Sequence, residues 1–173
     1  MPLLTPHFDL AELTVTQQVD GAGRLLANQP LDAALVYLQL LTERLLEPIR
    51  DLWGCPVHVL SGYRGPAVER AVQEHAGLIL PGAPLVPSQH LLGQAADVVP
   101  GDPEITIQEA YRRIAVSSLP YDQLLLEGQP GHEWIHVSTA PVMFQPRREA
   151  LVSPTGRVPW LVYQPPAAPG GVA

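Results

Sequence analysis

Basic residues, cysteine and long apolar runs are all scarce in this chain of 173 residues. Its 10 Lys and Arg residues are outnumbered by 17 Asp and Glu residues, which gives a net charge of -7. Because phosphate binding requires clustered positive charge, nucleic acid and anionic membranes are not expected as partners. The single Cys55 excludes an internal disulfide. No apolar stretch reaches the length of a membrane span.

Length and apolar content predict one folded domain. Hydrophobic residues make up 46% of the chain, enough for a substantial core. We expect this domain to cover residues 1–163 and a disordered tail, rich in Pro, Gly and Ala, to cover residues 164–173. The first residues contain neither the basic region nor the long apolar run of a signal peptide, so the localisation stays open.

Helical patterns lie before and between short strand patterns. Apolar residues recur every three or four positions from Leu31 to Leu52, as in a core-facing helix that Pro48 should kink or divide. Capping-box spacing predicts two further helix starts, at Asp9 and at Thr106. Strands are expected at residues 57–60, 95–99, 123–127 and 134–137, with a terminal hairpin over 148–152 and 160–163. The expected fold class is α+β, with a small, mainly antiparallel sheet flanked by helices.

Three polar motifs indicate a metal-dependent hydrolase. They are Ser61-Gly62-Tyr63-Arg64, the segment from Ser88 to Asp97, and Glu133-Trp134-Ile135-His136. His90, Asp97 and His136 offer two imidazoles and a carboxylate, a ligand set that leaves a fourth zinc position open. Asp97 lies in an otherwise apolar strand pattern, where a buried carboxylate is costly unless it is paired or bound to a metal.

A second zinc signature overlaps the third motif. Residues His132 to His136 fit H-E-x-x-H, which binds zinc only when a helix brings both histidines to one face. Gln129-Pro130-Gly131 before the motif and Pro141 after it disfavour a long helix. The helical interpretation also leaves the segment from Ser88 to Asp97 unexplained, and we therefore reject it.

The three motifs in this order resemble the zinc D-Ala-D-Ala peptidases. That family includes D-Ala-D-Ala carboxypeptidases, vancomycin-resistance dipeptidases and phage peptidoglycan endopeptidases, and the resemblance covers about Phe8 to Ser138. It implies a Hedgehog/DD-peptidase-like fold and one catalytic Zn²⁺ held by His90, Asp97 and His136. It also implies peptidoglycan stem peptides as the partner of a protein that we expect to be monomeric.

The resemblance further implies roles for four other residues. Arg64 would stabilise the oxyanion, and Ser88 and Tyr63 match positions near the substrate. Glu133 would take a proton from the attacking water and deliver it to the leaving amine. This last assignment requires Glu133 to precede the strand or to lie at a bulge, because side chains alternate on a regular strand.

Two other residues remain candidates for the base. On a strand that is regular from His132, that histidine shares a face with His136 and would replace Glu133. Glu127 is the third candidate.

The leading hypothesis is a zinc metallopeptidase that cleaves bonds involving D-amino acids in peptidoglycan, as a carboxypeptidase or an endopeptidase. One alternative is a catalytically inactive zinc-binding module of a virion or cell wall, and another is a hydrolase for a different amide. A phage-encoded or virion-associated origin would explain how a wall enzyme without a signal reaches its substrate, and a trimmed sequence would explain the same observation.

Overall fold

A six-stranded sheet and a set of helices form most of the structure, a computed structural model that describes residues 3–153 and 160–165. The strands are β1 (Leu3–Thr5), β2 (Phe8–Asp9), β3 (Val57–Ser61), β4 (Ala95–Pro100), β5 (Tyr121–Gln129), β6 (His132–Thr139), β7 (Glu149–Val152) and β8 (Leu161–Val162). The α-helices are α1 (Leu10–Thr14), α2 (Asp32–Leu41), α3 (Glu47–Trp53), α4 (Pro66–His75) and α5 (Ile107–Val116). Among these described residues, none of the helices has both the length and the apolarity to cross a membrane.

The large sheet is mixed. Its strand order is β3-β4-β6-β5-β7-β8, in which β5 and β7 run parallel and the other neighbours run antiparallel. Strands β1 and β2 form a separate antiparallel pair. The α+β class is thereby confirmed, and the parallel pair is a feature that the sequence patterns did not predict. The likeness to the Hedgehog/DD-peptidase fold stays a prediction.

Local signals explain where the helices begin. Asp9 and Glu12 form the reciprocal capping box expected for α1. Thr106 caps α5 by accepting a hydrogen bond from the backbone N–H of Glu109. At the break expected near Pro48, a π-helical turn over Thr42–Leu46 separates α2 from α3, and Pro48 lies in the first turn of α3.

Strand alternation separates an apolar face of the sheet from a polar one. Ala96 and Val98 of β4 and Ile135 and Val137 of β6 are buried in the main hydrophobic cluster, which includes side chains of α2, α3 and α5. The intervening residues of these strands therefore project from the opposite face. The buried polar residues Asp97 and His136 are cross-strand partners on that face.

The C-terminal strands extend the sheet beyond β5. Strands β7 and β8 pair antiparallel, as expected for the two arms of the terminal hairpin. Residues 154–159, between the two expected arms, lie outside the described residues, and so do residues 166–173 of the tail that we expected to be disordered.

Candidate metal centre and cleft

His90 is held in place by two neighbouring segments. It lies in a single 3-10 turn, Gln89–Leu92, whose N-terminal cap is the Ser88 hydroxyl, 3.3 Å from the His90 backbone nitrogen. The His90 Nδ1 atom lies 2.7 Å from the carbonyl oxygen of Gly62. Because a carbonyl can only accept, Nδ1 must donate, which leaves the lone pair of Nε2 free to bind a metal.

Three potential ligand atoms, from the 3-10 turn, β4 and β6, lie close together. The distance between His90 Nε2 and His136 Nδ1 is 3.2 Å, and Asp97 Oδ1 lies 3.1 Å from His136 Nδ1 and 3.4 Å from His90 Nε2. In a tetrahedral zinc site with bonds of about 2.0 Å, adjacent ligand atoms are about 3.3 Å apart. All three side chains are buried, and their spacing fits a zinc ion.

His90, Asp97 and His136, which we call the metal cluster, form a site whose electrostatics suit a cation. Burial lowers the pKa of His90, with Asp97 acting in the opposite direction, so that the imidazole is neutral at neutral pH. Burial also acts against ionisation of Asp97, but its contacts with His90 and His136 and the charge of the Arg64 guanidinium outweigh it. Together they hold the pKa of Asp97 well below its usual range. The site thus presents an ionised carboxylate and the neutral imidazole of His90, the protonation states that zinc requires of such ligands.

Arg64 borders the cluster. Its Nη2 atom donates to Asp97 Oδ2, and its Nε donates to the Ser61 hydroxyl at 2.8 Å. The backbone N–H of Arg64 donates to the carbonyl oxygen of His90 at 3.2 Å. A permanently charged group is therefore fixed beside the proposed metal ligands.

A cleft with a volume of about 650 Å³ opens beside His136. Ser88 lines this cleft, together with Glu69, Gln89, Asp122, Pro141 and Arg147. Tyr63, the other predicted substrate contact, is only 3% exposed and belongs to the main hydrophobic cluster instead. Ser88 thus lies where it can contact a ligand in the cleft, and Tyr63 does not line it.

Comparison with known families agrees with this geometry. The family model of peptidase M15 matches residues 6–138. The chain belongs to the peptidase M15 family. This confirms the resemblance drawn from the three motifs, which all lie within the matched residues. No curated protein matches the chain.

The structure of this M15 peptidase does not bring Glu133 to the metal cluster. Strand β6 pairs regularly with β5 from His132 to Val137, so Glu133 and His136 lie on opposite faces of the sheet. The Glu133 carboxylate accepts hydrogen bonds from Gln108 of α5 at 3.3 Å and from the backbone N–H of Gly131 at 2.8 Å. The bulge that the assignment required is absent from this described segment.

His132 shares the face of His136 but lies too far along the strand. Four residues separate the two histidines, and four residues of β-strand span roughly 13 Å. His132 is also exposed, at the turn between β5 and β6. It is therefore poorly placed to exchange a proton at the metal cluster.

Glu127 is the candidate base that the structure places near the cluster. It is the cross-strand partner of Trp134 and so projects from the same face as His136. Its carboxylate accepts a hydrogen bond from the Trp134 indole at 3.0 Å. Burial raises the pKa of Glu127, the negative charge of Asp97 raises it further, and the charges of His136 and Arg64 act in the opposite direction.

Two polar groups in the cleft were missed by the sequence analysis. Glu69 of α4 is 3% exposed and lies 3.8 Å from Arg64. Asp122 accepts hydrogen bonds from Gln89 and Arg147, and Arg147 lies beyond the residues matched by the family model. A glutamate on the polar side of an amphipathic helix looks like a solvent-facing residue, so no local pattern could have identified Glu69.

Proposed function

We propose that this M15 peptidase is a zinc-dependent enzyme that hydrolyses peptide bonds involving D-amino acids in peptidoglycan stem peptides. The main support is the agreement between three ligand-atom separations of 3.1 to 3.4 Å and the edges of a tetrahedral zinc site. The cleft beside His136 offers space for a short peptide. His90, Asp97 and His136 would hold one Zn²⁺, which when bound would supply Lewis-acid activation of water and of the scissile carbonyl.

Arg64 is the proposed oxyanion-stabilising residue. The carbonyl oxygen gains negative charge as water attacks, and a fixed guanidinium near that oxygen stabilises the charge more in the transition state than in the bound substrate. Arg64 is fixed by Ser61 and Asp97 before the substrate binds, so it needs little reorganisation during the reaction.

Glu127 is the proposed base, in place of Glu133. It would accept a proton from the attacking water and return it to the nitrogen of the leaving amine, which balances the hydrolysis. Its burial raises its affinity for a proton, and the Trp134 indole fixes one carboxylate oxygen while leaving the other available. Ser88 is a proposed substrate contact, because it lines the cleft directly before the turn that contains His90.

The test is mass spectrometry of defined stem peptides and cross-linked muropeptides incubated with zinc-loaded protein. Cleavage that EDTA abolishes would establish the hydrolase, and the product masses would distinguish carboxypeptidase from endopeptidase activity. If the protein binds one zinc ion and cleaves none of these substrates, the proposal fails in favour of a non-catalytic zinc module or another amide substrate.

A pair of isosteric variants tests the base. Glu127→Gln should lower kcat by about 10²- to 10⁴-fold, the usual contribution of general acid–base catalysis. Glu133→Gln should change kcat by less than about threefold, because its carboxylate lies on the other face of the sheet. The reverse pattern would return the role to Glu133 without affecting the assignment of the hydrolase.

A further inference from the structure

Glu69 is a buried carboxylate with an incomplete set of hydrogen bonds. It is 3% exposed, and its Oε1 atom accepts a hydrogen bond from Gln73 Nε2 at 2.8 Å. Its Oε2 atom is buried and has no hydrogen-bond partner among the described residues. The cation that it faces is Arg64, whose Nη1 lies 3.8 Å away. Burying a carboxylate is costly unless a charged partner compensates, so Arg64 accounts for the charge of Glu69.

Arg64 therefore lies between two buried carboxylates with different roles. Its Nη2 contacts Asp97, whose other oxygen faces His90 and His136, while its Nη1 faces Glu69. If Asp97 were the only partner of the Arg64 guanidinium, this ion pair would reduce the negative charge that Asp97, a proposed zinc ligand, offers to the metal. The second carboxylate on the opposite side offsets this attraction and fixes the direction of the guanidinium.

Gln73 connects this pair to the loop that borders the cleft. Its Nε2 donates to the carbonyl oxygen of Val86 at 2.9 Å, and its Oε1 accepts from the backbone N–H of Val86 at 2.9 Å. Val86 and the following Pro87 line the cleft. The amide of Gln73 thus fixes the cleft loop on one side and the Glu69 carboxylate on the other.

We propose that Glu69 is a positioning residue that orients Arg64 for catalysis, and that Gln73 couples it to the cleft loop. This inference rests on the proposed function of Arg64 and adds a connection from the loop at Val86 to the reacting carbonyl. Substrate groups that contact the loop then steady Arg64. Because their binding energy stabilises the transition state more than the bound substrate, it raises kcat and has little effect on KM.

A double-mutant cycle separates positioning from a structural role. Glu69→Gln keeps the shape and the bond from Gln73 but removes the charge that faces Arg64, and it should lower kcat about tenfold with KM changed less than about twofold. Arg64→Lys should lower kcat about 10²-fold or more. Because Glu69 acts through Arg64, the double variant should be no slower than Arg64→Lys alone.

The matched control is Glu74→Gln. Glu74 lies on the same helix and forms only a partly exposed pair with Arg70 at 3.7 Å, so its removal should leave kcat unchanged. Losses that multiply in the double variant, or an equal loss in Glu74→Gln, would overturn the proposal. If Glu69→Gln does not fold, Glu69→Asp replaces it, since it keeps the charge but shortens the reach, and the same comparison applies.

A measurement without substrate keeps the proposal separate from the peptidase assignment. Hydrogen exchange of the Arg64 side-chain Nε–H, followed by NMR in the zinc-loaded protein, should be at least about fivefold faster in Glu69→Gln than in the wild type. It should be unchanged in Glu74→Gln. Equal exchange rates in all three proteins would refute the positioning role even if peptides are cleaved. Failure to cleave any peptide would remove the proposed function but leave this result to decide whether Glu69 orients Arg64.

Discussion

Gly93 links the metal cluster to the helical layer, and its replacement by alanine should be costly. It ends the 3-10 turn that contains His90 and has φ of +72°, a conformation that costs alanine about 1 kcal/mol relative to glycine. An added Cβ would lie 2.6 Å from the carbonyl oxygen of Ala34 and 3.1 Å from Leu38 Cγ, both on α2. A forced backbone shift of this kind costs about 1–3 kcal/mol more. We therefore expect Gly93→Ala to lower the free energy of unfolding by about 2–4 kcal/mol.

Gly77 provides the matched control. Its φ is +70° and an added Cβ would meet no atom within 4 Å, so Gly77→Ala should show only the conformational cost of about 1 kcal/mol. Urea unfolding of the metal-free proteins measures both values, and the difference between the variants isolates the contact with α2. Zinc affinity should also fall in Gly93→Ala alone, because the displaced turn contains His90. Equal losses of stability in the two variants would refute this account of how α2 supports the site.

Three further predictions concern charge and metal. Zinc at 100 times its dissociation constant should stabilise the fold by about 2.7 kcal/mol and raise Tm by roughly 5–11 °C, and calorimetry should show no such rise with EDTA or in His136→Ala. The raised pKa of Glu127 stabilises the metal-free wild type fully below its usual value of 4.5, and this stabilisation is lost as the pH rises through the raised pKa. Glu127→Gln should therefore gain stability relative to the wild type as the pH rises above 4.5, and a difference in unfolding free energy that does not change with pH would contradict this. Asp122→Ala should cost about 1–3 kcal/mol in urea unfolding, because it removes the carboxylate that accepts hydrogen bonds from Gln89 and Arg147, whereas Asp102→Ala in an exposed turn should cost less than about 1 kcal/mol.

The local motifs could single out His90, Asp97 and His136, which the structure brings together, because residue type and strand pattern can both be read from short segments of sequence. An aspartate in an apolar strand pattern and a histidine in another needed only an antiparallel register to meet, and β4 and β6 supply it. The base could not be predicted in the same way. Pro130-Gly131 is compatible with a bulge or with a tight hairpin, and only the pairing of β5 with β6 shows which one forms.

Long-range features were less accessible from the sequence. The parallel pairing of β7 with β5 depends on a crossover whose path no local pattern specifies. Glu69 lies only five residues after Arg64, but their approach still depends on the direction in which α4 leaves the chain at Gly65. Sequence periodicity predicts which side of a helix or strand is buried, but it does not identify which buried charged residues contact each other.

Strand β7 also protects the fold from unwanted association. It covers residues Gln123–Leu126 of β5 with a parallel ladder, and without it β5 would be an outer strand with unsatisfied N–H and C=O groups. A protein shortened after Ala140 would expose that apolar stretch as a template for strands of other molecules. The segment beyond the family match thus acts as a barrier to intermolecular β-pairing, and its removal should produce aggregates before it alters the metal cluster.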